Sequence, residues 1–348
     1  NYGDFDSGSK VFAFNHDGSL FWSANIPLHV KVSILAADLN NDGYKEIVIK
    51  GNDAWERKLM ILSSGGKMIS SWNINSKRWG GIIEGAPAVG NFDDDLDLEI
   101  VIADPSENAG SIWENGEFLG WSNEGVLSIY NMDGSLVSGW PIYLQGIAFS
   151  SPATGDLNND GSDEIILGLM YSGSIFPDYT VGGLYAFDKN GNILPGWPLE
   201  RGYNFWSSPA IGNINNDSNL EIVSSKLGFV TYAVDLTGNI LPGWPKYTSW
   251  NSYYGNNIED VNADGKLDIL TTAGSIYACD DFGNYCGGVY GWNSNGEMIA
   301  GFPKVTEVDA QAPISIFAND GTIHIAASSD WDNDGENDKK RGSVYVWD

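Results

Sequence analysis

A nine-residue pattern occurs five times and limits what this chain can fold into. The first copy is Asp38-Leu39-Asn40-Asn41-Asp42-Gly43-Tyr44-Lys45-Glu46, followed at once by Ile47-Val48-Ile49. The others run from Asn91 to Glu99, Asp156 to Glu164, Asn213 to Glu221 and Asp260 to Asp268, each followed by isoleucine. Oxygen-bearing side chains stand at positions 1, 3, 5 and 9, and position 2 is always apolar. Turns rich in Asn, Asp and Gly explain part of this, but they do not require an acid at positions 5 and 9 every time. A loop that folds back on itself brings alternate side chains to one point. Hard cations such as Ca²⁺ take about six to eight oxygen ligands there. The helical calcium loop starts alike but puts its bidentate glutamate at position 12. Here the last acid falls at position 9 and a β-type run follows, which describes a strand–loop–strand site.

Positions 1, 3, 5, 7 and 9 form the candidate ligand sets. These are Asp38, Asn40, Asp42, Tyr44 and Glu46; then Asn91, Asp93, Asp95, Asp97 and Glu99; then Asp156, Asn158, Asp160, Ser162 and Glu164. The last two sets are Asn213, Asn215, Asp217, Asn219 and Glu221, and Asp260, Asn262, Asp264, Lys266 and Asp268. A sixth acidic loop carries Asp330, Asp332, Asp334, Glu336 and Asp338, with Lys339-Lys340-Arg341 after it in place of an isoleucine-rich strand. It reads as a further calcium loop, with a solvated acidic turn as the alternative. About five or six Ca²⁺ ions are expected in all.

Each loop belongs to a longer unit. A short strand such as Ser151-Pro152-Ala153-Thr154-Gly155 precedes it, and an apolar strand such as Glu164-Ile165-Ile166-Leu167-Gly168 follows. A third strand comes after a variable stretch, typified by Gly183-Leu184-Tyr185-Ala186-Phe187-Asp188. An Asn/Asp-Gly turn then leads to a fourth strand ending in Gly-Trp-Pro, as at 196–198. No segment keeps a helical period. Four short strands per repeat describe one blade of a β-propeller. The chain reads as a single domain over 1–348, with units at about 30–72, 80–140, 146–198, 203–245 and 250–303, and partial ones at 8–22 and 309–348. Innermost strands number six, but outer strands belong to seven blades. The expectation is seven blades, with a ring of six as the alternative.

The units resemble FG-GAP/VCBS-type repeats, similar to the propeller of integrin α-subunits and to secreted bacterial and archaeal repeat proteins. The residues that carry this are Ser-Pro-Ala through Glu-Ile at 151–165 and Gly-Leu-Tyr-Ala-Phe-Asp through Gly-Trp-Pro at 183–198, with their copies. In such families the repeat serves adhesion, ligand display, sugar binding and, in some lyases, catalysis, so the resemblance leaves activity open.

The chain has 348 residues and a formal charge of −28, which argues against nucleic acid or an anionic membrane as partner. No apolar run is long enough to span a membrane. The chain starts at Asn1 without methionine or a signal-like segment, so it is expected to be processed or part of a larger surface or secreted protein. A zinc site at Cys279 and Cys286 would need more ligands nearby in the sequence, and the three histidines are scattered along it. A local disulfide, which would place the protein outside the cytosol, is expected, with reduced thiols as the alternative.

In a propeller blade the calcium loops staple one rim and the variable connections form the other. Aromatic residues crowd the variable connections: Trp79, Trp113, Trp121, Phe149, Tyr179, Tyr203, Trp206, Trp250, Tyr254 and Trp331. Two readings stand: rings wedged between blades, or a surface that contacts a glycan or protein ligand. Residues 111–121 also read as a hairpin around Asn115-Gly116. Signals for catalysis are thin, with no Gly-x-Ser-x-Gly, His-Glu-x-x-His or phosphate-cradling loop. A polysaccharide lyase would need a base beside a metal, and nothing in the sequence gathers Lys31, Arg57, Lys58, Arg78 and Lys226. The expectation is a non-enzymatic adhesion, structural or ligand-display domain. A carbohydrate-binding module or the propeller of a polysaccharide lyase is the alternative.

Overall fold

The computed structural model describes residues 8–30, 32–53, 56–74, 85–93, 95–114, 117–122, 124–170, 182–199, 203–248, 252, 255–276, 286–306, 314–319, 322–329 and 343–347. For 110–114, 117–122, 275–276, 286, 319 and 329 it describes the backbone only. Among the described residues there is no helix, and every strand pairing is antiparallel.

Sheet 1 holds β1 (Ser9–Phe14) and β2 (Leu20–Ile26). Sheet 2 runs β3 (Leu35–Ala37), β4 (Glu46–Asp53), β5 (Glu56–Leu62) and β6 (Met68–Asn73). Next come β7 (Ala88–Gly90), β8 (Glu99–Pro105), β9 (Gly110–Glu114), β10 (Glu117–Ser122), β11 (Gly125–Tyr130) and β12 (Ile142–Leu144). Of these, β7, β8, β11 and β12 make sheet 3, while β9 and β10 form a separate hairpin where the Asn-Gly signal places one. Sheet 4 contains β13 (Ile147–Ala148), β14 (Ala153–Gly155), β15 (Glu164–Met170) and β16 (Gly183–Phe187). Its inner edge is split, since β13 and β14 both pair with β15. Sheet 5 comprises β17 (Ala210–Gly212), β18 (Glu221–Lys226), β19 (Val230–Val234) and β20 (Lys246–Tyr247). Sheet 6 comprises β21 (Asn256–Glu259), β22 (Asp268–Ile276), β23 (Cys286–Trp292) and β24 (Lys304–Thr306). Sheet 7 comprises β25 (Ser315–Asn319), β26 (Thr322–Ser329) and β27 (Ser343–Trp347).

The apolar core lies between sheets rather than within one. Val11 and Ile26 of sheet 1 pack with Ile49, Met60 and Leu62 of sheet 2. Leu59 and Ile61 of sheet 2 meet Ile100, Ile102 and Tyr130 of sheet 3. The same relation joins sheets 3 and 4, 4 and 5, 5 and 6, and 6 and 7. In sheets 2 to 6 a second or third strand is therefore covered on both faces, which is why runs such as Glu-Ile-Val-Ile-Ala-Asp are unbroken by polar alternation. Side by side at the inner edges, β7 packs on β14, β14 on β17 and β17 on β21.

The structure corrects one boundary. The sequence pattern ends the fourth strand at Gly-Trp-Pro. In sheets 3 and 5 the strand that pairs with the third one begins after that tripeptide, at Ile142 and Lys246, and in sheet 6 it begins after Gly301-Phe302-Pro303, at Lys304. Leu136, Ile240 and Met298 before it make only single bridges. Proline has no N–H to give a ladder, so pairing cannot run through it. Where Trp22 and Trp72 are followed by Ser23 and Asn73, β2 and β6 run on without a break.

The tryptophans of these segments wedge between sheets. Trp140, Trp197 and Trp244 are buried, and each donates its indole N–H to a turn of the following sheet: Lys189 O at 3.1 Å, Leu236 O at 2.6 Å and Ser294 O at 3.1 Å. Trp22 does the same to Ser64 O at 2.8 Å. The Trp72 ring lies over the next turn, so close that a Cβ on Gly134 would stand 2.7 Å from it.

Candidate metal loops and the opposite rim

All five nine-residue loops join the first strand of a sheet to its second: β3 to β4, β7 to β8, β14 to β15, β17 to β18 and β21 to β22. Loops of neighbouring sheets are tied together. Leu98 N–H reaches Leu39 O at 2.8 Å, and Asp163 N–H reaches Asn91 O at 2.9 Å. The Asn91 N–H returns a bond to Asp163 Oδ2 at 3.0 Å. These bonds place the loops along one rim.

Within each loop the backbone points inward-facing donors at the acids. The N–H at position 2 donates to the carboxylate at position 9, from Leu39 to Glu46 at 3.0 Å and from Leu157 to Glu164 at 2.9 Å. Phe92 to Glu99, Ile214 to Glu221 and Val261 to Asp268 repeat it at 2.8, 2.9 and 3.2 Å. The N–H at position 5 donates to the position-3 side chain in the four loops at 38–46, 91–99, 156–164 and 213–221, and in the fifth Asp264 N–H donates to Asn262 Oδ1. The N–H at position 7 donates to the position-5 carboxylate, as from Ser162 to Asp160 Oδ1 at 2.9 Å. Position 7 therefore serves this geometry through its backbone, which explains how Tyr44 and Lys266 can occupy it.

Two classes of loop appear at positions 1 and 6. Where position 1 is Asp and position 6 is Gly, the glycine N–H donates to that Asp: Gly43 to Asp38 at 2.8 Å, Gly161 to Asp156 at 3.0 Å and Gly265 to Asp260 at 2.8 Å. These glycines hold φ of 88°, 91° and 83°, a left-handed conformation that side chains disfavour. Where position 6 is Leu96 or Ser218, position 1 is asparagine. Its Nδ2 instead donates to the carbonyl of position 5, Asn91 to Asp95 O at 3.4 Å and Asn213 to Asp217 O.

The position-9 acids are buried, although each is charged in its ordinary state. Burial pushes Glu99 and Glu164 up to about 7, with the nearby Asp93 and Asp95, or Asp160 and Asp156, adding to the effect. Burial raises Asp268 to about 6 and raises Glu221 as well. Three buried oxygens in these loops, Asn91 Oδ1, Asn213 Oδ1 and Asp268 Oδ1, have no hydrogen-bond partner. Carboxylate oxygens of Asp93, Asp95 and Glu99 lie within 4.8 Å of one another. Hard oxygen ligands that converge and repel each other, three of them without a hydrogen-bond partner, fit a hard divalent cation. The loop at 330–338 lies outside the described residues.

At the far ends of the second strands, sequence reasoning missed a buried charge cluster. Lys50 Nζ donates to Asp104 Oδ1 at 2.5 Å and to Gly85 O at 2.9 Å. The Arg57 guanidinium lies 2.8 Å from the same carboxylate oxygen, and all three side chains are at most 1% exposed. The cluster ties sheet 2 to sheet 3. Its sequence signal is a charged residue inside two otherwise apolar second strands, Glu-Ile-Val-Ile-Lys and Glu-Ile-Val-Ile-Ala-Asp. Another polar knot joins sheets 5 and 6, where Asn256 bonds to Ser207 and Ser225 at 2.8 and 2.9 Å.

Of the rim aromatics, Phe149 is buried with Ile147 and Met170, and Trp206 is half-buried beside it at a ring separation of 5.9 Å. The Trp206 indole N–H points at Met170 Sδ, 2.7 Å away. Tyr203 is 52% exposed, with Lys226 Nζ 4.0 Å from its ring centre. Trp113 and Trp121 are described by backbone alone, on β9 and β10. Trp79, Tyr179, Trp250, Tyr254, Trp331 and Cys279 lie outside the described residues, and Cys286 is described only as the first residue of β23.

No family model matches the sequence, and no curated protein does. Solved structures do. The chain is similar to rhamnogalacturonan lyase YesW, with a TM-score of 0.50 at 17% identity, covering 86% of this chain and 53% of that one. It is similar to the exotype rhamnogalacturonan lyase YesX at a TM-score of 0.51 and 14% identity, covering 100% of this chain and 60% of the lyase. The quinohemoprotein alcohol dehydrogenase ADHIIG from Pseudomonas putida HK5 matches at 0.53 and 12%, covering 93% and 67%. The chain thus spans 53% and 60% of the two lyases' lengths. At these identities the likeness concerns fold alone, and with sheets packed face to face in series the fold is that of the β-propeller proteins.

Proposed function

We propose that this chain is a seven-bladed propeller of the FG-GAP/VCBS kind, stapled by Ca²⁺ along one rim, that displays a binding surface on the other. The single observation that carries this is the set of buried position-9 carboxylates. Each accepts at least one backbone N–H, while burial and neighbouring aspartates raise the proton affinity of at least three of them. A bound dication removes that repulsion, and the unpartnered oxygens of Asn91, Asn213 and Asp268 gain a ligand. When bound, calcium supplies charge and fixes the loops. It takes no part in chemistry in this reading.

The ligand at the variable rim is a protein or a glycan, met by exposed rings such as Tyr203 together with the rim loops, and the domain works outside the cell as an adhesion or ligand-display module of a larger protein. Elemental analysis of the purified protein, with and without excess chelator, tests the metal. Fewer than two calcium ions per chain would overturn the reading. Glycan-array binding that disappears in Tyr203→Ala and in Asp334→Ala, but survives in Asp160→Ala, supports the division between the rims.

The likeness to rhamnogalacturonan lyases favours testing a second reading, a carbohydrate-processing propeller. Incubation with rhamnogalacturonan and ultraviolet detection of unsaturated uronate ends separates them. Product formation that requires the protein would make the chain an enzyme.

A further inference from the structure

The five loops on the metal rim are not joined to one another in the same way. Position 8 is Lys45, Leu98, Asp163, Leu220 or Leu267, so in only one loop does it carry an acceptor side chain. The Asp163 N–H donates to Asn91 O at 2.9 Å, and its Oδ2 accepts the Asn91 N–H at 3.0 Å. One residue of the loop at 156–164 thus grips both backbone groups of one residue of the loop at 91–99. Gly90 leaves room for the carboxylate, since a Cβ there would stand 2.5 Å from Asp163 Oδ2. Elsewhere the ties are slighter. The loops at 38–46 and 91–99 are joined by the backbone bond from Leu98 to Leu39, and those at 156–164 and 213–221 by Asn159 Nδ2 to Ser218 O at 3.4 Å.

Both ends of the Asp163–Asn91 grip sit on candidate ligands. Asn91 opens its loop at position 1, and its Oδ1 is buried without a hydrogen-bond partner. Carboxylate oxygens of Asp93, Asp95 and Glu99 converge in the same loop. Asp163 stands between Ser162, whose N–H donates to Asp160 Oδ1, and Glu164, whose carboxylate accepts the Leu157 N–H and the Asn158 amide. Whatever fixes Asp160 and Glu164 therefore fixes Asp163, and through it the backbone that carries Asn91 Oδ1.

We infer that the loops at 91–99 and 156–164 bind Ca²⁺ with positive cooperativity, coupled by the two bonds between Asp163 and Asn91. Such coupling presupposes the calcium reading proposed above and adds to it which two sites fill together. An ion in the loop at 156–164 holds that loop's acids in place and leaves Asn91 already ordered for the second ion. The second ion then meets less of the entropy of ordering. Repulsion between two dications opposes this, but it is screened over about 8 Å at physiological ionic strength. The bonds act at any salt. Coupling is mutual, so each ion raises the affinity of the other loop by the same factor.

The test follows hydrogen exchange of peptides covering 91–99, 156–164 and 260–268 while calcium is added to the chelator-stripped protein. In the unaltered chain, protection of the first two should rise together. Asp160→Ala impairs the loop at 156–164. It should raise the calcium midpoint at 91–99 at least about fivefold and leave that at 260–268 in place. Asp95→Ala should shift 156–164 by a like factor, and it keeps the test valid if Asp160→Ala misfolds. Asp163→Leu installs the residue that three other loops carry at position 8. On that background Asp160→Ala should shift 91–99 little. Asp163→Asn drops the charge but keeps an acceptor for the Asn91 N–H, and on that background the shift should persist. A midpoint at 91–99 that ignores Asp160→Ala, or a shift that survives Asp163→Leu, would overturn the inference. So would loss of the shift with Asp163→Asn, which would make charge rather than the bonds the carrier. Calcium-dependent protection in none of the three loops would be a different failure, removing the calcium reading and the coupling with it.

Discussion

In the loop at 156–164, the peptide between positions 5 and 6 turns its N–H to the Asp156 carboxylate. In the loop at 213–221, the equivalent peptide turns its carbonyl to the Asn213 carboxamide. The two loops differ by a peptide flip, and the residues at positions 1 and 6 follow from it. Glycine permits the left-handed φ that presents an N–H, and an acceptor-only aspartate receives it. Without glycine the carbonyl faces position 1, and only a side chain with a donor can meet it. The loops at 38–46 and 260–268 belong with the first class, and that at 91–99 with the second. Asparagine at position 1 is thus no mere dilution of charge. It is the residue a glycine-free loop needs, and its remaining oxygen stays buried and unpartnered.

Removal of calcium should produce the largest effect on both classes. Each ion that binds only the folded form adds RT ln(1 + [L]/Kd) to stability, about 2.7 kcal/mol per site at a hundredfold excess over Kd. Excess chelator should therefore lower Tm by many degrees, and an unchanged melting curve would break the scheme. In chelator, pH should matter in a specific direction. Carboxyls raised by burial, Glu99 and Glu164 to about 7 and Asp268 to about 6, favour folding when protonated. That contribution is full below the ordinary carboxyl range and is lost as pH rises towards 7. The metal-free protein should melt at a lower temperature at pH 8 than at pH 5, and calcium should abolish most of the difference. A metal-free Tm that rises between those pH values would show that the position-9 acids are not the groups that matter.

A smaller loss is expected from one loop alone. Asp160 accepts the Ser162 N–H at 2.9 Å and the Asn158 amide at 3.0 Å, besides its place in the proposed metal site. Asp160→Ala should cost on the order of 1–3 kcal/mol by urea titration in calcium. Asp217→Ala in the other class should cost less, because Asp217 and Glu221 are the only carboxylates of that loop and affinity follows ligand charge. The same reasoning makes 213–221 the first loop to lose its ion in a chelator titration. Retention there after the others have emptied would reverse the order.

Much of this was legible beforehand. The period of the acidic loops, the apolar second strands and the hairpin at 110–122 follow from residue type and spacing. The end of the fourth strand was misplaced because Trp-Pro reads as a terminus, when it is the point at which pairing begins. Lys50 and Asp104 stand out as charges inside apolar strands, but their meeting with each other and with Arg57 depends on how sheet 2 faces sheet 3, and no spacing encodes that. The pairing of asparagine with a missing glycine stood in the sequence throughout, but it means nothing until the orientation of one peptide is known.

That pairing yields the smallest effect and the sharpest test. Asn91→Asp removes the amide that donates to Asp95 O and sets a carboxylate against a carbonyl. In chelator, the change should cost about 1–2 kcal/mol, from the lost hydrogen bond together with the new carboxylate–carbonyl repulsion. Leu96→Gly alone should cost less, about 1 kcal/mol, mostly through the added freedom of the unfolded chain. In the double variant the 95–96 peptide can flip, its N–H can meet the new carboxylate, and the loop should convert to the class of 38–46. The two changes should then be coupled by about 1 kcal/mol in the stabilising direction, read from a double-mutant cycle in urea. Additive losses would mean that the two classes of loop differ for reasons other than the flip. The same cycle at 213–221, with Asn213→Asp and Ser218→Gly, should show the same sign of coupling, since Asn213 Nδ2 meets Asp217 O in the same way.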